Sequence, residues 1–204
     1  AYTSALYVNK KAISDGGENP ENLPKTWDEF DTYCQKITDK SVPRFGYEIR
    51  GMDYCAWAFT PWVWSAGGEM VEPAENGKWR ISFTYDAGVD AACFLNRLVN
   101  QRKVTQTNIL CDLSDTDDDM MSGRACFAWG TVANVEAEKV KQYGLATTDF
   151  TQMCMPAKDS SITNPALAGG EVITFNPKCD KETLKAAFDV MTFMYYDEEY
   201  QKIK

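Results

Sequence analysis

The sequence predicts an α/β architecture, and three observations carry that expectation. Stretches that alternate with period two and stretches with apolar residues three and four apart take turns along all 204 residues. Capping and turn residues separate these stretches at short intervals. No run approaches the roughly 20 apolar residues of a membrane helix, so the pattern reads as that of a folded core.

The elements follow in order. SALYVN (residues 4–9) alternates and carries β-formers, predicting a strand. After the loop GGENPENLPK, Thr26 precedes a helical pattern with Trp27, Phe30, Tyr33 and Ile37 on one face. Thr26 with Glu29 makes a capping box, which marks a helix start. FGYEIR (45–50) reads as a second strand, ended by Gly51. Residues 53–66 suit a helix stopped by Gly67 and Gly68. ENGKWRISFT alternates about Asn76–Gly77, a hairpin signal. A long helix is expected from about Ala87 to Arg102, burying Val89, Cys93, Leu95, Leu98 and Val99. Ser114 is expected to open the next helix, with Asp115, Asp117, Asp118 and Asp119 in its first turn. ACFAW, a segment around YGLATT and EVITF are expected strands, and a helix from about Lys181 to Tyr200 follows.

Composition removes several function classes. The net charge is −9, and the basic pairs Lys10–Lys11 and Arg102–Lys103 are scattered. Phosphate neutralisation needs a positive stripe, so no nucleic-acid partner is expected. Histidine is absent, which excludes the usual serine or cysteine triad. The seven cysteines include no CxxC, so no zinc site is supported and most read as small buried hydrophobes. Their odd number also argues against a fully paired disulfide framework. SDTDDDMM invites a calcium reading, but an EF-hand loop from Asp115 would need glycine sixth and glutamate twelfth. Met120 and Cys126 stand there. The acids read instead as a helix N-terminus favoured by the helix dipole. Gly67–Gly68 and Gly169–Gly170 complete no phosphate-cradling motif, and no cofactor is expected.

The aromatic share of 13% is the positive signal. In YCAWAFTPWVW, a helix puts Trp57, Pro61 and Trp64 on one face and turns Trp62 well away. Trp62 and Trp64 read as packing residues. Trp57 follows the strand–helix junction at Gly51–Met52, and open α/β sheets hold ligands beside such junctions. A flat ring there, with Asp53 and Tyr54 as polar neighbours, suits the C–H face of a pyranose. Trp129 has the same placement, at the end of ACFAW and before Gly130. Two indoles at one sheet edge make a candidate stacking site. A glycan-active enzyme is a second reading, using Glu48, Asp53 or Glu171 as a carboxylate pair about 5–10 Å apart. An interaction module whose aromatics only pack is a third.

ALYVNKKAI followed by LPKTWDEF, then WSAGGEMV, MMSGRACFAWG and PALAGGEVITFNPKCDKETLKAAFDVMTFM, match a known pattern in order and spacing. They resemble the extracellular solute-binding proteins of carbohydrate ABC importers, the maltose-binding-like family, and PKTWDEF is the most specific piece. The resemblance implies a type II periplasmic-binding-protein-like lobe with a mixed sheet flanked by helices. It implies a sugar or oligosaccharide ligand held between two lobes, ABC permease subunits as partners, and no catalysis. It also implies an extracellular lipoprotein or a periplasmic protein, with the membrane reached only through a lipid anchor outside this chain. Trp57 then falls at a cleft aromatic position, Trp129 and Gly130 where a strand reaches the cleft, and Gly169, Gly170 and Glu171 where the chain crosses between lobes. The family's bulky residue shortly after that strand is unmatched, because Thr131, Val132 and Ala133 occupy the position. The chain starts at the family strand that ALYVNKK resembles, so most of the first lobe is expected to lie outside it. Residues 1–168 are expected to form the second lobe, and 169–204 a crossing strand and helix belonging natively to the first.

Overall fold

Side-chain alternation along the central strands sorts the protein into two cores. The computed structural model describes residues 2–131, 135–170 and 172–203. These fall into two units, Tyr2–Gly169 and a second beginning at Gly170. In the first, β1 (Tyr2–Asn9) lies between β5 (Ala125–Gly130) and β6 (Phe150–Met153), antiparallel to both. β2 (Phe45–Glu48) runs parallel to β5, and β7 (Leu167–Gly169) pairs with the start of β1. Leu6 lies opposite Trp129, and Tyr7 opposite Ala128. One core takes Leu6, Val8, Tyr47, Phe127 and Trp129. The other takes Tyr7 and Ala128 with Met120, Met121, Val140 and Phe150.

The first core is an aromatic block. α1 (Lys10–Asp15) continues directly from β1, and α2 (Trp27–Ile37) starts at the expected capping box. Thr26 Oγ1 accepts from the Glu29 amide at 3.3 Å, and Glu29 accepts from the Thr26 amide at 3.1 Å. Trp27 stacks on Phe94 at 4.5 Å between centroids. Trp62, from α3 (Cys55–Ser65), touches Trp27, Phe30, Tyr47 and Phe94 and donates Nε1–H to the Tyr47 hydroxyl at 3.0 Å. The hairpin forms as expected, with β3 (Val71–Pro73) and β4 (Trp79–Ile81) joined through Asn76 and Gly77, both at positive φ.

Several expectations are corrected. α4 (Asp86–Asn96) passes into a π-helical turn at Arg97–Arg102 and buries Gly88, Ala91, Phe94 and Leu98. Val89 and Cys93 face solvent instead, because the Phe94–Trp27 stack sets the rotation of the helix. Asp112, rather than Ser114, caps α5 (Leu113–Met121) in a reciprocal box with Asp115. α6 (Ala137–Gln142) is an added helix, and YGLATT turns at Gly144 before β6 begins at Phe150. EVITF is not a strand: residues 172–175 are irregular, and the nearby strand is β7. Strand propensity needs a partner ladder, and LAG supplies the one that pairs Tyr2–Ser4. Only Cys34, Cys111 and Cys126 are buried, whereas Cys55, Cys93 and Cys154 are exposed.

In the second unit, α7 (Lys181–Tyr196) is capped by Asp180 and followed by α8 (Glu198–Ile203). Phe175 meets Phe188 and Phe193 meets Tyr200, yet α7 buries no residue.

The capping box generates a stability prediction. Thr26→Ala removes one acceptor at a helix start and is expected to lower stability by about 1 kcal/mol in urea denaturation, whereas Thr26→Ser stays near wild type. Equal stability of Thr26→Ala and Thr26→Ser would show that the box contributes nothing.

Candidate functional site

Parallel pairing of β2 with β5 brings their C-terminal ends to one edge of the sheet, where antiparallel β1 begins. Gly51 ends the β2 segment, and a Cβ there would collide with the carbonyl oxygen of Ile109. Met52 then takes a left-handed φ of 50°, and a single 3₁₀ turn, Met52–Tyr54, feeds α3. The reversal carries Trp57 over the end of β5. Its ring lies 5.2 Å from that of Trp129, edge to face at 62°. Tyr54 stacks on Trp57 at 6.0 Å and 22°. The two indoles expected to meet do meet, but their exposures differ. Trp57 retains 37% of its surface and Trp129 only 2%. Trp129 sits beneath, because β5 points it into the aromatic core, and Trp57 holds the open surface.

Behind the rings lies a polar network that no motif announces. Arg50 pairs with Asp117 at 2.7 Å, and the Tyr7 hydroxyl donates to the same Asp117 oxygen at 3.0 Å. The Arg50 guanidinium lies 5.9 Å from the Trp129 ring centroid. Gly130 makes this possible, since a Cβ there would sit 3.0 Å from an Arg50 nitrogen and 3.3 Å from the Tyr7 ring. Burial first, then the Asp117 charge, pushes the Tyr7 phenol well above its usual value. The remaining acids of α5 are also engaged, Asp118 with Lys139 and Asp119 with Arg124. Among the described residues no cluster of acids or thiols is arranged to hold a metal ion. A sequence signal for the network did exist: Arg50 ends a strand, and a buried arginine needs an acid that the run at Asp115–Asp119 can supply. The other sequence candidates are placed as follows. Gly169 ends β7 opposite Tyr2, and Gly170 opens the second unit. Glu171, Val132, Ala133 and the Asp53 side chain lie outside the described residues.

The family model described as "Bacterial extracellular solute-binding protein" matches residues 1–203. The chain belongs to that family. Its fold is similar to that of maltose-bound MalE3 from T. maritima, with a TM-score of 0.74 at 20% identity over 98% of this chain and 50% of that one. It is similar to an ABC transporter solute-binding protein from Agrobacterium radiobacter K84 in complex with ribitol, with a TM-score of 0.75 at 16% identity over 98% and 48%. UgpB from Mycobacterium tuberculosis, in complex with glycerophosphocholine, matches with a TM-score of 0.72 at 20% identity over 94% and 45%. No curated protein sequence matches the chain. The likeness to the solved structures is one of fold, a type II periplasmic-binding-protein-like lobe with a mixed sheet flanked by helices. The chain spans about half the length of these solved relatives or less.

Away from the rings, this solute-binding protein carries a buried acid. Glu48 on β2 is 0% exposed, and its Oε1 is 4.0 Å from the Cys111 sulfur. Burial pushes its carboxyl up to about 10, and the neighbouring Asp119 adds to the shift. Glu48 is therefore neutral at pH 7, with Asp119 and Cys111 as near neighbours. A cleft of about 940 Å³ lies over this region, lined by Thr38, Lys40, Arg44, Asn100, Gln106 and Asp119 among others. Trp57 and Trp129 are not part of it.

A carboxyl with a raised native-state value holds its proton more tightly when folded than when unfolded. The associated stability is fully present below the unfolded value of 4.5 and is lost as pH rises towards about 10. Wild type is therefore expected to lose stability relative to Glu48→Gln by up to about 1.4 kcal/mol per pH unit between pH 5 and pH 9. Urea melts at each pH read this directly, and parallel profiles would contradict a buried, neutral Glu48.

Proposed function

We propose that the chain is the second lobe of the carbohydrate-binding component of an ABC importer. In this reading a sugar or oligosaccharide rests its C–H face on Trp57, braced by Tyr54 and Trp129, at the mouth of an interlobe cleft. Residues beyond about 168 form a crossing segment and helix that belong with the first lobe, and closure of the two lobes delivers the ligand to permease subunits. The whole protein would be held outside the cell by a lipid anchor, or reside in a periplasm, and would perform no chemistry on its ligand. One observation carries the reading. A half-open indole lies at the carboxyl edge of the sheet, seated on two other aromatic rings, in a member of an extracellular solute-binding family. The sugars and polyol named for the solved relatives support the same ligand class.

Aromatic surfaces suit this task because a pyranose presents a flat apolar face ringed by hydroxyls. The ring gains dispersion and desolvation while adjacent polar groups orient the hydroxyls. A lone lobe supplies one wall of such a cleft, so millimolar or weaker affinity is expected in isothermal titration against a sugar panel. A micromolar constant for this chain would contradict the one-wall description. In the two-lobe parent, Trp57→Ala is expected to weaken sugar affinity about fivefold, the equivalent of a ~1 kcal/mol stacking contact. A loss below about twofold would remove Trp57 from the site.

A further inference from the structure

Tyr54 and Trp57 offer more than one flat surface. Their rings are near parallel, at 22°, yet their centroids are 6.0 Å apart. Rings in face-to-face contact lie about 3.5 Å apart in height, so the 6.0 Å separation contains a sideways offset of about 5 Å. At that offset each ring leaves most of the other uncovered. The pair forms two steps, and the advance from one to the next is close to that from one pyranose ring to its neighbour along a glycan. Both steps are reachable, because Trp57 keeps 37% of its surface and Tyr54 is half-buried. Both are also held in place. Tyr54 ends the single 3₁₀ turn Met52–Tyr54, which closes through the Cys55 amide donating to the Met52 carbonyl. Trp57 follows three positions later, so the two rings rise from one face. Trp129 supports Trp57 from beneath at 5.2 Å and, at 2% exposure, adds no third step. Local backbone thus sets the spacing of the steps before any ligand arrives, and a monosaccharide can use only one of them.

We propose that the site is built for at least two linked pyranose units, the first on Trp57 and the second on Tyr54, with the Tyr54 ring setting this preference for length. The inference rests on the sugar-binding reading and gives Tyr54 a role beyond bracing Trp57. Tyr54 is a specificity-determining residue in this scheme, with a ligand contact of its own. The contact is made by the flat ring, since the apolar face of a second pyranose needs an aromatic plane rather than a hydroxyl.

The test uses the ¹⁵N-labelled chain and three methyl glycosides: the glucoside, the maltoside and the cellobioside. Indole Nε1–H signals in ¹H–¹⁵N spectra report binding in the millimolar range, and the Trp57 signal is assigned by Trp57→Phe. In the wild type, at least one disaccharide is expected to bind about fivefold tighter than the monosaccharide, the gain of one added stacking contact. A gain of about twofold is statistical only, since either unit of a disaccharide can occupy Trp57. In Tyr54→Ala the gain is expected to fall to that statistical level, whereas Tyr54→Phe, which keeps the ring, retains it. Wild type binding both disaccharides with no more than the statistical gain would overturn the proposal, with no variant needed. A folded Tyr54→Ala that weakens monosaccharide and disaccharide equally would also overturn it, because that is the result of bracing alone. If none of the glycosides moved an indole signal, the sugar-binding reading itself would fall, and this inference with it.

Discussion

Burial of Trp62 decides where Trp57 points. The two residues share α3 and lie five positions apart, which on a helix separates their directions by about 140°. Trp62 is locked inward by four aromatic neighbours and by its hydrogen bond to Tyr47. With that face committed, Trp57 is turned to the sheet edge, where it meets Trp129. The candidate site is thus a by-product of core packing on the same helix.

A second constraint acts from the opposite side of the sheet. Alternation places Trp129 in the aromatic core while Gly130 faces the core that contains Tyr7. Because Gly130 has no side chain, Arg50 can lie across β5 and reach Asp117 of α5. An acidic helix start is often explained by the helix dipole alone. Here Asp117, Asp118 and Asp119 have individual cationic partners, and one of those partners is the arginine behind the indole. The cluster that invited a calcium reading instead makes ion pairs, one of them at the candidate site.

What could be read in the sequence was what is decided locally or by strong periodicity. The Thr26–Glu29 box, the Asn76–Gly77 turn and the apolar face of α2 depend on neighbours within one or two turns, and each stands in the structure as expected. The meeting of Trp57 and Trp129 was legible because one follows a strand end and the other lies at one, and a layered sheet collects such ends at one edge. The depth of Trp129 was not legible, since the face to which a strand turns a side chain depends on register with partners distant in sequence. The rotation of α4 failed for the same reason: Phe94 is fixed by Trp27, from another helix. Arg50–Asp117 and Glu48–Cys111 join residues more than sixty positions apart, beyond the reach of any spacing rule.

The segment from Gly170 onwards follows a different physical rule from the rest. α7 is sixteen residues long with a good cap, so its helical form is locally supported. Yet Phe188, Val190, Phe193 and Tyr196 each keep at least half of their surface exposed. A helix of this length is marginal when propensity is its main support, and most helices in proteins are held by a packed apolar stripe. The first unit has such packing throughout its aromatic block, so its helices gain from burial what α7 gains only from its cap and a few ring contacts. On the two-lobe proposal this contrast has a physical origin. A crossing helix keeps its apolar stripe for the lobe it crosses into, while the lobe that holds Trp57 closes its own core without it.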